Sequence, residues 1–342
     1  MSNKSGYIIP VVMMLVAMAV ILVTAIYSRG SVYVPLMTTL LKQERARELA
    51  MSGVQVAMGQ LAIVPPQEEN KKLSQLDQDK AFLTEILPSL NRWQRFLLKK
   101  HADGIDGEIT IAISAEDGKI DLNAIFDFEK KQFNGNWKKI IELLFARLQK
   151  EMGVETNLAE SFEKFLKERQ YRFNDPSELL TLEQFQVFAG KVFYVPPTKD
   201  EKGKRPIYLM DLFTTYASID RLQPWLFSDS VCAVLGIKRA SSDVKQRKEM
   251  IKNWLQHFTS DTNWQQKWNE VLKPVYGIEL QSLPNGIDSV LDTKFDPKMF
   301  CVVSYGKVGE VVQRAYAIVE RIVRMDKGSV NYDCKIKKFY WI

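Results

Sequence analysis

YIIPVVMMLVAMAVILVTAIYSRGSVYVPLMTTLLKQERARELAMSGVQVAMGQL (residues 7–61) opens the chain almost at its start. Its first part, Tyr7 to Tyr27, is an uncharged apolar run of about 21 residues, and a helix of that length covers roughly 31 Å, enough to cross a bilayer core. A secretory signal has a shorter apolar region followed by a small-residue cleavage site. Here the run ends in Ile26-Tyr27-Ser28-Arg29, which does not match one. A retained membrane anchor is expected. Lys4 precedes the run while Arg29, Lys42, Arg45 and Arg47 follow it, so charge counting does not favour a cytoplasmic N-terminus.

Arg29-Gly30-Ser31 and Pro35 would loosen or kink a helix, but helical patterning resumes at once. Leu36, Leu40, Leu49, Gly53, Ala57 and Leu61 fall near one stripe, with Lys42, Glu44, Arg45 and Glu48 elsewhere. The anchor thus runs into an amphipathic helix, a spine of about 56 residues or roughly 84 Å. Pro65-Pro66 ends it, and QEENKK follows as a linker.

Beyond the spine, residues 73–100 read as one or two short helices ending in NRWQRFLLKK. Ile109, Ile111 and Ile113 alternate with polar residues, as in a half-buried strand. From Trp137 to about Trp268 the pattern is helical, interrupted by the basic loop at 196–206; Trp225, Trp254, Trp264 and Trp268 read as core. MFCVVSYG, VVQRAYAIVERIV and SVNYDCKIKKFYWI return to strand patterning, with YGKVGEVVQR holding a turn between two strands. The expected class is therefore α/β (α+β): a long N-terminal helix packed on an antiparallel sheet, with a large inserted α-helical domain.

The 342 residues are 46% hydrophobic and 26% charged, which excludes wholesale disorder. The net charge of +6 is spread over charges of both signs with no basic block, so a nucleic-acid partner is not expected. His101 and His257 are too few for a histidine metal centre, and Cys232, Cys301 and Cys334 lack paired zinc spacing. The phosphate-loop, nucleophile-elbow, zinc-protease and EF-hand patterns are all missing.

One polar cluster stands out: SAEDGKIDLNAIF, Ser114 to Phe126. Glu116, Asp117 and Asp121, with Asp103, Asp106 and Glu108 upstream, are candidate hard-oxygen ligands for calcium. Glu116 and Asp121 are also the best candidates for a catalytic carboxylate pair. The competing structural reading makes Asp117-Gly118 a tight turn, with Asp121 or Asn123 capping a following helix.

Taken in order, these segments resemble the K-type minor pseudopilin of type II secretion systems. Lys4-Ser5-Gly6 before the apolar run is similar to a prepilin leader (1–6), which implies cleavage between Gly6 and Tyr7 by a prepilin peptidase and N-methylation of Tyr7. ARELAMSGVQVAMGQL resembles the end of a pilin spine. EITIAISAEDGKIDLN resembles the family's strand and turn, with Asp117, Gly118, Lys119, Asp121 and Asn123 at the motif positions. NDPSELLTLEQFQVFAG and MFCVVSYGKVGEVVQRAYAIVERI resemble its helical domain and closing hairpin. Tyr7 and Pro10 are unusual at their positions, and the family's D-W-x-D-x-D and N-x-N-T-A segments are not recognisable.

The resemblance implies a transmembrane helix at 7–27, a spine continuation at 28–64, a pilin-like α/β domain at 65–129 and 276–342, and an inserted helical domain at 130–275. It implies a non-enzymatic subunit capping the tip of the secretion pseudopilus and helping start its assembly. I-type and J-type minor pseudopilins would be its partners, and it would span the inner membrane once with its globular part in the periplasm. No cofactor beyond the candidate calcium is implied. Ordinary pilins carry glutamate at the fifth mature position, where this chain has Val11; a subunit with no neighbour above it gains by lacking that buried carboxylate. In an oxidising periplasm Cys301 and Cys334, both in strand-like segments of one sheet, would be expected to pair, leaving Cys232 a buried thiol; the alternative is that none of the three pairs. A minor pilin of a type IV pilus, a single-pass periplasmic enzyme and an anchored binding module remain the other readings.

Overall fold

The computed structural model describes residues 8–62, 75–153, 157–196, 206–218, 220–237, 244–256, 268–292, 298–326 and 329–342. Helix α1 (Ile8–Leu61) is unbroken for 54 residues, about 81 Å at the usual rise, and contains Pro35. The expected loosening between Arg29 and Pro35 does not occur. Hydroxyls bind the local ladder instead, Ser31 to the Ser28 carbonyl at 2.8 Å, Thr38 to that of Val34 at 2.8 Å and Thr39 to that of Pro35 at 2.9 Å.

The helix has two unlike halves. Large apolar side chains from Ile9 to Leu41 are exposed, including Leu36 and Leu40 of the anticipated stripe. Burial begins at Ala46 and continues through Leu49, Ala50, Gly53, Val54, Ala57 and Leu61. This half is rich in small residues because the sheet lies very close. A Cβ on Gly306 would stand 2.0 Å from the Ala46 carbonyl oxygen, and one on Gly53 would stand 2.1 Å from Ser304 Oγ.

After α2 (Gln75–Ile86) comes β1 (Trp93–Leu98), a strand where the sequence reading placed the end of a helix. Tertiary pairing decides it: Trp93 to Leu98 are matched residue for residue with Ala112 to Gly107. A short turn of helix, α3 (Lys100–Asp103), leads into β2 (Gly107–Ala115), whose Ile109, Ile111 and Ile113 face α1 as the alternation requires. With β7 (Met299–Val308), β8 (Val311–Asp326) and β9 (Ser329–Trp341) these form a five-stranded antiparallel sheet in the order β1-β2-β7-β8-β9. The β7–β8 turn carries Gly309 at φ +59°, a left-handed position suited to glycine.

The chain leaves this sheet after Ala115 and re-enters it at Met299, on the adjacent strand. The excursion is therefore wider than the anticipated 130–275 block. It holds the short strands β3 (Ile120–Asp121), β4 (Phe126–Asp127), β5 (Gln132–Phe133) and, further on, β6 (Phe213–Thr214). Its helices are α4 (Trp137–Met152), α5 (Leu158–Glu168), α6 (Leu209–Leu212), α7 (Asp229–Leu235), α8 (Val244–Gln256) and α9 (Trp268–Tyr276), with tighter helical turns at Pro176–Thr181 and Glu183–Phe188. Phe145, Phe162, Phe185 and Phe213 pack ring against ring at its centre. Trp225 and Trp254 are buried as anticipated, while Trp264 and the side chain of Trp268 lie outside the described residues. The apolar core runs without interruption from α1 through the sheet into the excursion.

Candidate functional site

The Glu116–Asn123 motif sits where the chain leaves the sheet, and it is buried. Glu116 to Gly118 form one turn of 3₁₀ helix. Lys119 Nζ lies 2.5 Å from Glu116 Oε1 and donates to the Met210 carbonyl at 3.0 Å, while Thr214 donates to the other Glu116 oxygen. Burial works against the Lys119 ammonium, but Cys301, Glu116 and Asp211 around it outweigh that and hold its pKa above the usual lysine range. Asp117 accepts from the backbone and hydroxyl of Ser218 at 2.7 and 2.8 Å, and from the Lys298 and Met299 amides at 3.4 and 3.5 Å. Its carboxyl therefore ties together both ends of the excursion and a loop in its middle. Burial pushes it up to about 6 in spite of these donors.

No helix follows Asp121 and Asn123, so neither is a cap. Asp121 instead closes a turn by accepting from the Asn123 and Ala124 amides and reaches across to the Ala217 amide. Burial raises it to about 6 as well. Asn123 reads the backbone of Phe173 in both directions, at 2.9 and 2.8 Å. Gly118 is required by close approach: a Cβ there would lie 1.7 Å from the Leu226 carbonyl oxygen.

These contacts decide the chemistry of the motif. The oxygens of Glu116, Asp117 and Asp121 are engaged by protein donors in different directions, with a lysine ammonium among them. That arrangement does not fit a shared calcium ion. Upstream, Asp103 and Asp106 accept from the Lys99 and Lys100 amides, and Glu108 pairs with Arg95. Among the described residues no group of three or more metal-ligating side chains converges. Glu116 and Asp121 do not share a cleft either, since Asp121 is not among the residues lining the crevice at Glu116. That shallow crevice, lined by Glu116, Pro176, Met210, Thr214, Tyr316 and Tyr340, has no room for a water molecule.

The anticipated Cys301–Cys334 bridge is absent, and all three cysteines are free. The strand order explains it. Cys301 pairs with Ile318 and Cys334 with Arg321, so β8 lies between the two. Cys301 packs on the sheet face away from α1, whereas Cys334 Sγ contacts the Met58 carbonyl of α1. Burial pushes the Cys301 thiol up to about 12 and that of Cys334 to about 11, so both are protonated at neutral pH.

Two sets of partners were not found from sequence. Asp211, buried and bonded to the Ser230 amide at 2.8 Å, is marked only by being a lone acid in the apolar run YLMDLF. Arg321 is buried between the rings of Phe82 and Tyr332, at 3.7 and 3.6 Å, and donates to the Leu61 carbonyl at the C-terminal end of α1. Strand alternation already placed this charge on the face of Ala315, Ala317 and Val319.

What remains unpacked is the first half of α1. It is long and apolar enough to cross a membrane, with Val11 among its exposed side chains. Gly6 and Tyr7 lie outside the described residues.

The sequence matches no protein-family model and no curated protein. Among solved structures, the chain is similar to one in the crystal structure of the GspK-GspI-GspJ complex from the enterotoxigenic Escherichia coli type 2 secretion system. The identity is 13% and the TM-score 0.44, over 89% of this chain and 98% of that one. At that identity and TM-score the likeness carries no argument about function.

Proposed function

We propose that the chain is a membrane-anchored, non-enzymatic minor pseudopilin of the K type, which caps a secretion pseudopilus and helps start its assembly with I-type and J-type partners. The observation that carries this reading is α1. An exposed apolar half continues without a break into a half buried on an antiparallel sheet, a design for handing one helix from lipid to a bundle of like helices. Val11, in place of the pilin glutamate, suits a subunit with nothing above it, and the 116–298 excursion supplies bulk at the end of the spine. The globular part would lie in the periplasm.

Mass analysis of the N-terminal peptide from membrane-extracted protein tests the reading. A methylated start at Tyr7 is expected, and a start at Met1 or after Ser28 would sink it. Co-purification with I- and J-type subunits, rather than with type IV pilins, separates this reading from the pilus alternative.

A further inference from the structure

The two edges of the sheet are treated very differently. The β9 edge carries Lys335, Lys337 and Lys338, and its register is broken by a bulge opposite Ile318 and Val319. It is also covered, since Lys338 and Tyr340 both bind Asp175 of the excursion. Lysines, bulges and covers are the devices that stop an edge from pairing with a foreign strand. Among the described residues the β1 edge has none of them. WQRFLL contains no lysine or proline and pairs with β2 over six consecutive residues without a shift. Its Phe96 and Leu97 are 36% and 64% exposed.

The direction of the open hydrogen-bonding groups follows from one contact. The Ile113 carbonyl accepts from the Asn91 amide at 2.8 Å, so Ile113 points its backbone toward β1. Alternation along β2 makes Ile111 and Ile109 do the same, which turns the backbone of Gln94 and Phe96 inward. Trp93, Arg95 and Leu97 therefore aim their N–H and C=O groups outward, and these groups have no partner among the described residues.

The geometry points to β1 as the docking edge for an extended segment of a partner protein, apolar at alternate positions and acidic at the end beside Lys99 and Lys100. Main-chain bonds to Trp93, Arg95 and Leu97 would hold it. On one face its side chains meet Phe96 and, from α1, the exposed Val56, one turn below the Gln60 that bonds Gln94. On the other face they meet Leu97. Residues 91–100 carry Arg92, Arg95, Lys99 and Lys100; Asp103 and Asp106 stand beside the last two but accept from their backbone amides, not from their ammonium groups. Arg95 is paired with Glu108, but the two lysines have no ion-pair partner among the described residues.

Antiparallel pairing with a second copy does not suit this edge. Gly306 abuts Ala46 and Ala50 while Ser304 abuts Gly53, so β7, and β1 with it, runs opposite to α1. An antiparallel β1–β1 pair would aim the two α1 helices in opposite directions, which one membrane does not permit. Nothing else in the inference depends on the pseudopilin reading.

The test uses the full chain in detergent micelles and a fluorescent peptide of repeated valine-threonine with glutamates at one end. A lysine-ended peptide is the comparison. Without peptide, residue-resolved hydrogen exchange should be fast at Arg95 and Leu97 and slow at Phe96 and Leu98. The glutamate peptide should bind and slow the first pair. Arg95→Pro removes an outward N–H but no β1–β2 bond, so it should weaken binding about tenfold or more while Phe96 and Leu98 stay protected. Arg95 and Leu97 amides already protected in the chain alone would overturn the inference, because the chain or a second copy would then cover the edge. So would no binding, binding indifferent to Arg95→Pro, or equal binding of the lysine peptide.

Discussion

Replacing Gly118 by alanine puts a methyl group where another part of the backbone already sits. The added carbon would lie 1.7 Å from the Leu226 carbonyl oxygen, 2.4 Å from its carbon and 2.9 Å from the Phe227 nitrogen. A flexible side chain would move aside, but this neighbour is pinned. The Phe227 amide donates to Tyr276, its carbonyl accepts from Asn91, and the Leu226 amide donates to Gln223. The two segments must part by more than about 1 Å, as in an overpacked core, costing about 1–3 kcal/mol. That strains the bonds joining them, from the Gln223 amide to the Asp117 carbonyl at 2.9 Å and from the Ser228 amide to the Gly118 carbonyl at 3.4 Å. Leaving buried partners unmade costs about 1–3 kcal/mol each, so the expected total with both bonds lost is about 3–9 kcal/mol. Urea unfolding of the full chain in micelles, read by tryptophan emission, measures it. Gly135→Ala is the control: φ is +49° and nothing lies within 4 Å, so only the left-handed backbone penalty of about 1–2 kcal/mol applies. A Gly118→Ala cost no larger than that of the control would refute the reasoning.

Lys119→Met strands the Glu116 carboxylate in the core and should cost about 3–5 kcal/mol, with much of it restored in Lys119→Met/Glu116→Gln; equal losses in both variants would mean the charges are not coupled. Asp117 has a folded pKa of about 6, above its ordinary 3.8, so the folded state takes up protons more readily and this group's contribution to stability falls as pH rises from about 4 through 6. Asp117→Asn should accordingly gain on the parent between pH 4 and pH 7 in parallel urea titrations, and a constant difference would contradict the assignment. Non-reducing peptide mapping of unfolded protein should find Cys232, Cys301 and Cys334 all as free thiols, whereas a Cys301–Cys334 peptide would show that the strand order is wrong.

Periodicity made several elements legible. The apolar run and its stripe gave α1, the three alternating isoleucines gave β2, and the C-terminal valine-rich segments gave β7 to β9. WQRFLL was misread because its strand character comes from pairing with β2, and six residues with two aromatics have no period of their own. The cysteine pairing failed on strand order: alternation places a residue on a strand but does not say which strand lies between two others. The polar motif was found, but its role was not. Glu116, Lys119 and Asp117 are satisfied by Met210, Thr214, Ser218 and Met299, about 90 to 180 residues further along, and no local pattern announces such partners.

The excursion begins and ends on neighbouring hydrogen-bonded strands, with Ala115 opposite Phe300. Closing that pair brings together residues roughly 185 apart, yet the entropy of closure grows only with the logarithm of the span, about 0.6 kcal/mol for each doubling. The β2–β7 seam therefore works as a port in the fold. Mass can be added or trimmed in the outward loops between residues 116 and 298 at little entropic cost to the sheet, provided that the two ends keep their grip on one another and Tyr194, Tyr208 and Met210 stay packed on the sheet face. Asp117 and Gly118 supply that grip, since Asp117 holds the returning strand and Gly118 admits the backbone that crosses beside it. Selection could reshape the rest of what lies inside the port while leaving the spine and its sheet nearly untouched.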